Sequence, residues 1–155
     1  RSRTDAKVVK GTSKHTEITF ATDFEKFGLT NIDEDHYSMI EKRIYDLAVD
    51  KFNSGSSFIE VGSYKGKSSC AMAVNIINSG KDIKFYCVDT WKGSPEHQQG
   101  ELWEDKDVVK DKLYDVFLQN ISPVKDYIIP VQKSSLDATK DFRDESIEFI
   151  FLSII

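Results

Sequence analysis

The stretch Ser57-Phe-Ile-Glu-Val-Gly-Ser-Tyr-Lys-Gly-Lys-Ser-Ser69 constrains this chain more than any other. Phe58, Ile59 and Val61 suit a strand buried on both faces, Gly62 and Gly66 allow a tight turn, and Ser68 opens a small-residue run that can continue as helix. A strand that feeds a helix through a glycine turn aims backbone N–H groups and the positive end of the helix dipole at one spot. A ligand is expected there.

The same strand and helix alternation surrounds it. Between Asp33 and Ser54, Tyr37, Ile40, Ile44, Leu47, Ala48 and Phe52 recur at helical spacing, with acids in the first turn and Gly55 at the stop. After the glycine turn, Ala71, Ala73, Val74, Ile76 and Ile77 mark a second helix that ends at Gly80. Ile83 to Asp89 reads as a second strand closing on a carboxylate, and Thr90 to Gly100 as a loop. A third helix is expected from about Trp103 to Asn120, burying Val109, Leu113, Val116 and Phe117. Tyr127 to Val131 is a third strand, and Pro130, which has no N–H to donate, places it at a sheet edge. A short helical segment from Leu136 to Phe142 leads into the apolar strand Ile147 to Leu152. This order predicts an α/β fold with a parallel sheet, helices on both faces and right-handed crossovers. Residues 1–30 are expected to form a polar N-terminal tail and arm, with Thr16 to Thr22 extended, and residues 31–155 one domain.

Composition narrows the function classes. At 39% hydrophobic and 30% charged, 155 residues make one soluble globular domain. A net charge of -5 argues against a nucleic-acid partner. No apolar run approaches the ~20 residues that span a bilayer, and Arg1-Ser-Arg3 is not followed by a signal-peptide core, so a cytoplasmic protein is expected. Cys70 and Cys87 lack CxxC spacing and a neighbouring histidine, and read as buried free thiols.

Spacing separates the nucleotide-type readings of the turn. A P-loop needs four residues between its first glycine and the Gly-Lys pair, and here there are three. A dinucleotide fingerprint needs glycine where Tyr64 stands. Glu60-Val-Gly62-Ser-Tyr64-Lys-Gly66-Lys-Ser68 instead resembles the first motif of class I S-adenosylmethionine-dependent methyltransferases, in the E-x-G-x-Y-x-G-x-S form of catechol O-methyltransferase and its relatives. Asp89-Thr-Trp-Lys-Gly93 is similar to a segment of O-methyltransferases acting on sugars and other small metabolites.

The resemblance implies a Rossmann-like α/β sheet with the partial strand order 3-2-1-4 and S-adenosylmethionine as cofactor. It implies that Gly62, Tyr64 and Ser68 border the methionine part, with Glu60 beneath the turn orienting the ammonium group, and that Ser63 and Gly66 of the same turn also bind the cofactor. Asp89 would accept the ribose hydroxyls or, alternatively, cap the following turn; Ser134 falls where the family places adenine-contacting polar groups, and Thr90 would also bind the cofactor. Trp91 either stacks on the adenine or packs in the core. His97, in the loop facing the cofactor mouth, is a candidate catalytic residue or a surface histidine. The implied function is methyl transfer to an oxygen of a small-molecule acceptor such as a saccharide.

The chain departs from the family at Ser153. Metal-dependent members carry an aspartate there, and a serine gives no support for a metal. The family's sheet runs on to seven strands, so this chain reads as truncated after the fourth, leaving strand 147–152 with an open apolar edge. Either that strand pairs with a second copy in a homodimer, or the chain is a fragment of a longer enzyme. The alternative function is a non-catalytic methyltransferase-like module that self-associates through that strand.

Overall fold

The computed structural model describes residues 24–29 and 39–153. The expected tail and the arm from Thr16 to Thr22 lie outside the described residues. The elements in order are α1 (Met39–Lys51), β1 (Ser57–Val61), α2 (Lys67–Ser79), β2 (Lys84–Asp89), a 3-10 turn (Pro95–His97), α3 (Lys106–Val109), α4 (Leu113–Ile121), β3 (Ile129–Gln132), α5 (Ser135–Ala138) and β4 (Phe149–Leu152). The strands are parallel and run β3-β2-β1-β4, the expected order, in a Rossmann-like α/β fold. Pro130 sits opposite Cys87 on β3, the outermost strand on that side among the described residues, where a missing N–H is tolerated.

Strand alternation divides the core between the two faces of the sheet. Phe58, Phe85 and Cys87 meet Tyr45, Ala48 and Val49 of α1, the α2 residues Cys70, Met72, Ala73 and Ile76, and Phe117 of α4. On the opposite face Ile59 and Val88 pack with Ala138 of α5, alongside Tyr86, Phe142 and Ile147. Helix α2 is buried on nearly all sides. Its small residues permit that close approach: a Cβ on its N-cap, Gly66, would lie 3.0 Å from Ile121 Cγ2.

Two helix expectations are corrected. In α1 the buried positions are Tyr45, Ala48 and Val49, while Ile44 and Leu47 face solvent. The helix is rotated because Tyr45 reaches the Glu60 carboxylate and Asp46 engages Lys42 at 3.0 Å and Asn75 at 2.7 Å, so polar partners take inner positions. The expected single helix from Trp103 to Asn120 is two, α3 and α4. Asp111 breaks it at φ 55, and the Lys112 N–H turns back to the Asp107 carbonyl at 2.7 Å. Val109 is consequently exposed, whereas Leu113 and Phe117 are buried.

Candidate functional site

The carboxyl ends of β1, β2 and β4 converge at Gly62. Its N–H donates to the Val88 carbonyl of β2 at 2.8 Å, and a Cβ built on it would lie 3.1 Å from the Ser153 carbonyl after β4. With φ 89, this position suits glycine on both counts. Beyond it the chain turns through Tyr64 into α2, whose N-cap Gly66 offers no side-chain bond to the first turn.

Gly62, Tyr64, Asp89, Gly93, Ser94, His97, Leu113 and Ser153 line a cleft of about 180 Å³. Crevices at the carboxyl ends of strands are where open parallel sheets bind ligands. Asp89 organises the wall: Oδ2 accepts the Tyr64 N–H and Oδ1 the Trp91 N–H, each at 2.9 Å. The Trp91 indole N–H donates to the Tyr64 carbonyl at 2.8 Å, and its ring packs against Tyr114 and Phe117. Trp91 is thus a core residue, 1% exposed.

Glu60 lies behind the wall. It is fully buried, and its carboxylate accepts the hydroxyls of Tyr45, of Ser68 at 2.8 Å and of Ser69 at 2.5 Å. Burial pushes its carboxyl up, and these hydroxyls pull it back only in part. Ser63 stands close enough to influence this carboxyl, yet its buried hydroxyl completes no hydrogen bond of good geometry. Cys87, 4.0 Å from Glu60, is a buried free thiol, as is Cys70; burial and then the Glu60 charge push the Cys87 thiol well up.

The loop after β2 is fastened to the turn. The Tyr64 hydroxyl donates to Asp105, and Lys65 pairs with Asp105 at 3.1 Å and Asp107 at 3.3 Å. Burial works to lower Lys65, but Asp105, Tyr64 and Asp107 outweigh it and push it up. Burial likewise works to raise Asp105, but bonds from Tyr64, the Asp107 N–H and Lys65 hold it below the usual carboxylate range.

Of the residues singled out in the sequence, Gly62, Tyr64, Asp89 and His97 come together in the cleft wall. Glu60, Ser63, Gly66, Ser68, Thr90, Trp91 and Ser134 stand outside it. Ser134 caps α5, accepting the Asp137 N–H at 3.1 Å. Sequence reasoning missed Gly93, Ser94 and Leu113 as wall residues, and weighed Ser153 only as a metal position. Ser94-Pro95 before His97 carried a usable signal, a cap residue followed by proline at the first helical position. Among the described residues no cluster of three or more His, Cys, Asp or Glu is arranged to hold a metal, and no helix is long and apolar enough to cross a membrane.

Fold and cleft define an α/β protein with a cleft at the carboxyl end of its sheet. The profile of a methyltransferase domain matches residues 59–153, and the chain belongs to that family. S-adenosylmethionine is the cofactor that this membership implies. The fold is similar to that of an O-methyltransferase from Bacillus cereus solved in complex with SAH, at 17% identity and a TM-score of 0.50, covering 87% of this chain and 53% of that one. It is also similar to a Klebsiella pneumoniae protein assigned as an O-methyltransferase, at 14% identity and a TM-score of 0.52, covering 99% of this chain and 60% of that one. The chain therefore spans little more than half the length of these structures. Separately, a 37-residue segment is 49% identical to DNA topoisomerase 2 of Acanthamoeba polyphaga mimivirus, 24% of this chain and 3% of that protein.

Proposed function

We propose that the domain spanning residues 31–155 transfers a methyl group from S-adenosylmethionine to an oxygen of a small metabolite, with a saccharide as the favoured acceptor. The observation that carries this reading is the convergence of Gly62, Tyr64 and Asp89 on one cleft at the carboxyl end of the sheet. The residues present suit the cofactor. Helix α2 starts without a side-chain cap at the edge of the cleft, and each Asp89 oxygen retains a lone pair beyond the amide it accepts.

The cofactor's sulfonium supplies an activated methyl group, so the work of the protein is binding, orientation and exclusion of water. Asp89 would accept ribose hydroxyls, while the positive end of the α2 dipole would favour the carboxylate. Glu60, saturated by Tyr45, Ser68 and Ser69, would act by fixing the turn that leads into that helix. Calorimetry with S-adenosylmethionine and S-adenosylhomocysteine tests the reading. Binding by the wild type that is lost in Asp89→Ala is expected, and a wild type that binds neither would reject it.

A second reading is favoured by β4, the outermost strand opposite β3 among the described residues, where Ile150 and Leu152 are 55% and 64% exposed. A methyltransferase-like module that dimerises through this strand would cover them. Sedimentation would then show a concentration-dependent dimer that Ile150→Glu weakens. A monomer at all concentrations would leave only the first reading.

A further inference from the structure

We infer that the segment Ser94 to Asp105 forms the acceptor side of the cleft, where His97 offers an N–H to an uncharged hydroxylated ring. This inference deepens the methyl-transfer reading and rests on it. The hydrogen bonds of His97 fix its tautomer. Nδ1 accepts the backbone N–H of Ser94 at 3.3 Å and lies 2.9 Å from Ser94 Oγ. That hydroxyl itself accepts the His97 N–H in a reciprocal cap, so its own proton is free to point at Nδ1. With two donors on Nδ1, the ring proton of the neutral imidazole resides on Nε2.

Nε2 has no hydrogen-bond partner among the described residues, and the residue as a whole is 8% exposed. The ring forms part of the cleft wall and stacks on Tyr64 at 5.5 Å and 26°. The Nε2–H is therefore available to a bound molecule as a donor, and in this tautomer it steadies an acceptor oxygen without removing its proton. The charged groups near the ring are Asp89, which shares the cleft wall, and Asp105, which binds the Tyr64 hydroxyl and pairs with Lys65.

The loop beyond His97 supplies the rest of the recognition. Its backbone is pinned: the Trp103 N–H donates to the Glu96 carbonyl at 3.1 Å and the Asp105 N–H to the His97 carbonyl at 3.0 Å. On this fixed backbone Leu102 and Trp103 stand 83% and 63% exposed, with Trp103 tied to Glu96, the chain neighbour of the cleft residue His97. A sugar or phenol ring packs its C–H or π face on an indole while its hydroxyls bond to N–H and carboxylate groups. Between Ser94 and Asp105 the chain carries Glu96, Glu101, Glu104 and Asp105 and no Lys or Arg. That sign of charge disfavours phosphorylated or carboxylated acceptors.

Trp103 also reports on its own surroundings, because the other tryptophan, Trp91, is 1% exposed. The test is titration of wild type, with and without S-adenosylhomocysteine, using methyl glucoside, catechol and glucose 6-phosphate while tryptophan emission is followed. Saturable quenching by a neutral probe is expected, and it should vanish in Trp103→Phe; the two neutral arms separate a sugar from a phenol. His97→Ala should weaken that probe about fivefold, the loss of one neutral hydrogen bond, and His97→Gln, which keeps an N–H near Nε2, should restore it to within about twofold. Glucose 6-phosphate should bind at least about tenfold more weakly than the best neutral probe. A cooperative thermal melt of His97→Ala establishes that the variant is folded. The inference is overturned if neither neutral probe quenches, if His97→Ala binds as tightly as wild type, or if the phosphate binds equally well. Failure of the wild type to bind S-adenosylhomocysteine would instead defeat the methyl-transfer reading, while the probe titrations still judge the wall by themselves.

Discussion

The backbone N–H of Tyr64 is held by Asp89 Oδ2 at 2.9 Å, and Tyr64 sits at φ 50, a conformation side chains other than glycine seldom adopt. The same carboxylate holds Trp91 at φ 53 through Oδ1. Each such backbone costs about 1–3 kcal/mol, which charge-assisted bonds of similar size offset. We expect Asp89→Ala to lower stability by about 2–4 kcal/mol in urea unfolding and to abolish cofactor binding by calorimetry. Asp89→Asn, with one acceptor oxygen, should lose about half of that stability. An Asp89→Ala variant as stable as wild type would show that the carboxylate does not sustain the two turns.

Glu60 makes stability depend on pH in an unusual direction. Its carboxyl is raised from an ordinary value of 4.5 because burial penalises the charged form more than Tyr45, Ser68 and Ser69 reward it. The native state therefore holds this proton more tightly than the unfolded chain, so the contribution is full below pH 4.5 and is lost as pH rises through the native value. Glu60→Gln, which has no proton to lose, should gain on wild type progressively as pH climbs from 4.5 toward 8 in urea unfolding. A constant difference between the two proteins across that range would contradict the raised carboxyl.

The Lys65 cluster joins the turn to the acceptor-side loop. Lys65 is 5% exposed and meets Asp105 and Asp107. Removing one member of a buried pair is costly, while exposed pairs matter little; this cluster, with its aspartates partly accessible, lies between. Lys65→Met should cost about 2 kcal/mol and speed hydrogen exchange at the Asp105 and Asp107 amides. Because Asp105 is held below its ordinary value of 3.8, its contribution is present above that pH and is lost as pH falls through the native value. The acid loosening of the loop should therefore be blunted in Lys65→Met. Equal exchange in both proteins at neutral pH would mean that the pairs do not fasten the loop.

Much of this was legible in the sequence for physical reasons. Buried parallel strands read as apolar runs, Pro130 has no place inside a sheet, and Gly62 and Gly66 mark a turn that only glycine makes comfortably. The buried face of α1 was not legible, because Lys42 and Asp46 satisfy each other and Asn75 inside the fold, and hydropathy assigns such residues to the surface. No glycine or proline announces the break at Asp111, where a non-glycine residue adopts φ 55. The environment of Glu60 was half legible: a carboxylate in a buried strand demands partners, but Tyr45, fifteen positions away, can be named only from the fold. His97 shows the same limit, since its tautomer depends on a cap that exists only once the 3-10 turn has formed.

Gly93 is the tightest point of the loop that borders the cleft. It has φ 74, and a Cβ there would fall 2.6 Å from Val108 Cγ1 and 2.7 Å from Cγ2. Both branches of a short valine side chain would be struck, so no rotation of Val108 relieves the overlap, and α3 must shift. The left-handed backbone adds about 1 kcal/mol for any residue with a Cβ. We expect Gly93→Ala to lose about 2–4 kcal/mol in urea unfolding and to weaken cofactor binding, because Gly93 shares the cleft wall with Asp89. Val108→Ala clears the space, so Gly93→Ala combined with Val108→Ala should recover part of the binding, although Val108 is itself buried and its truncation costs stability. If the two substitutions are simply additive in a double-mutant cycle, the contact between Gly93 and Val108 is not what closes the loop over the cleft.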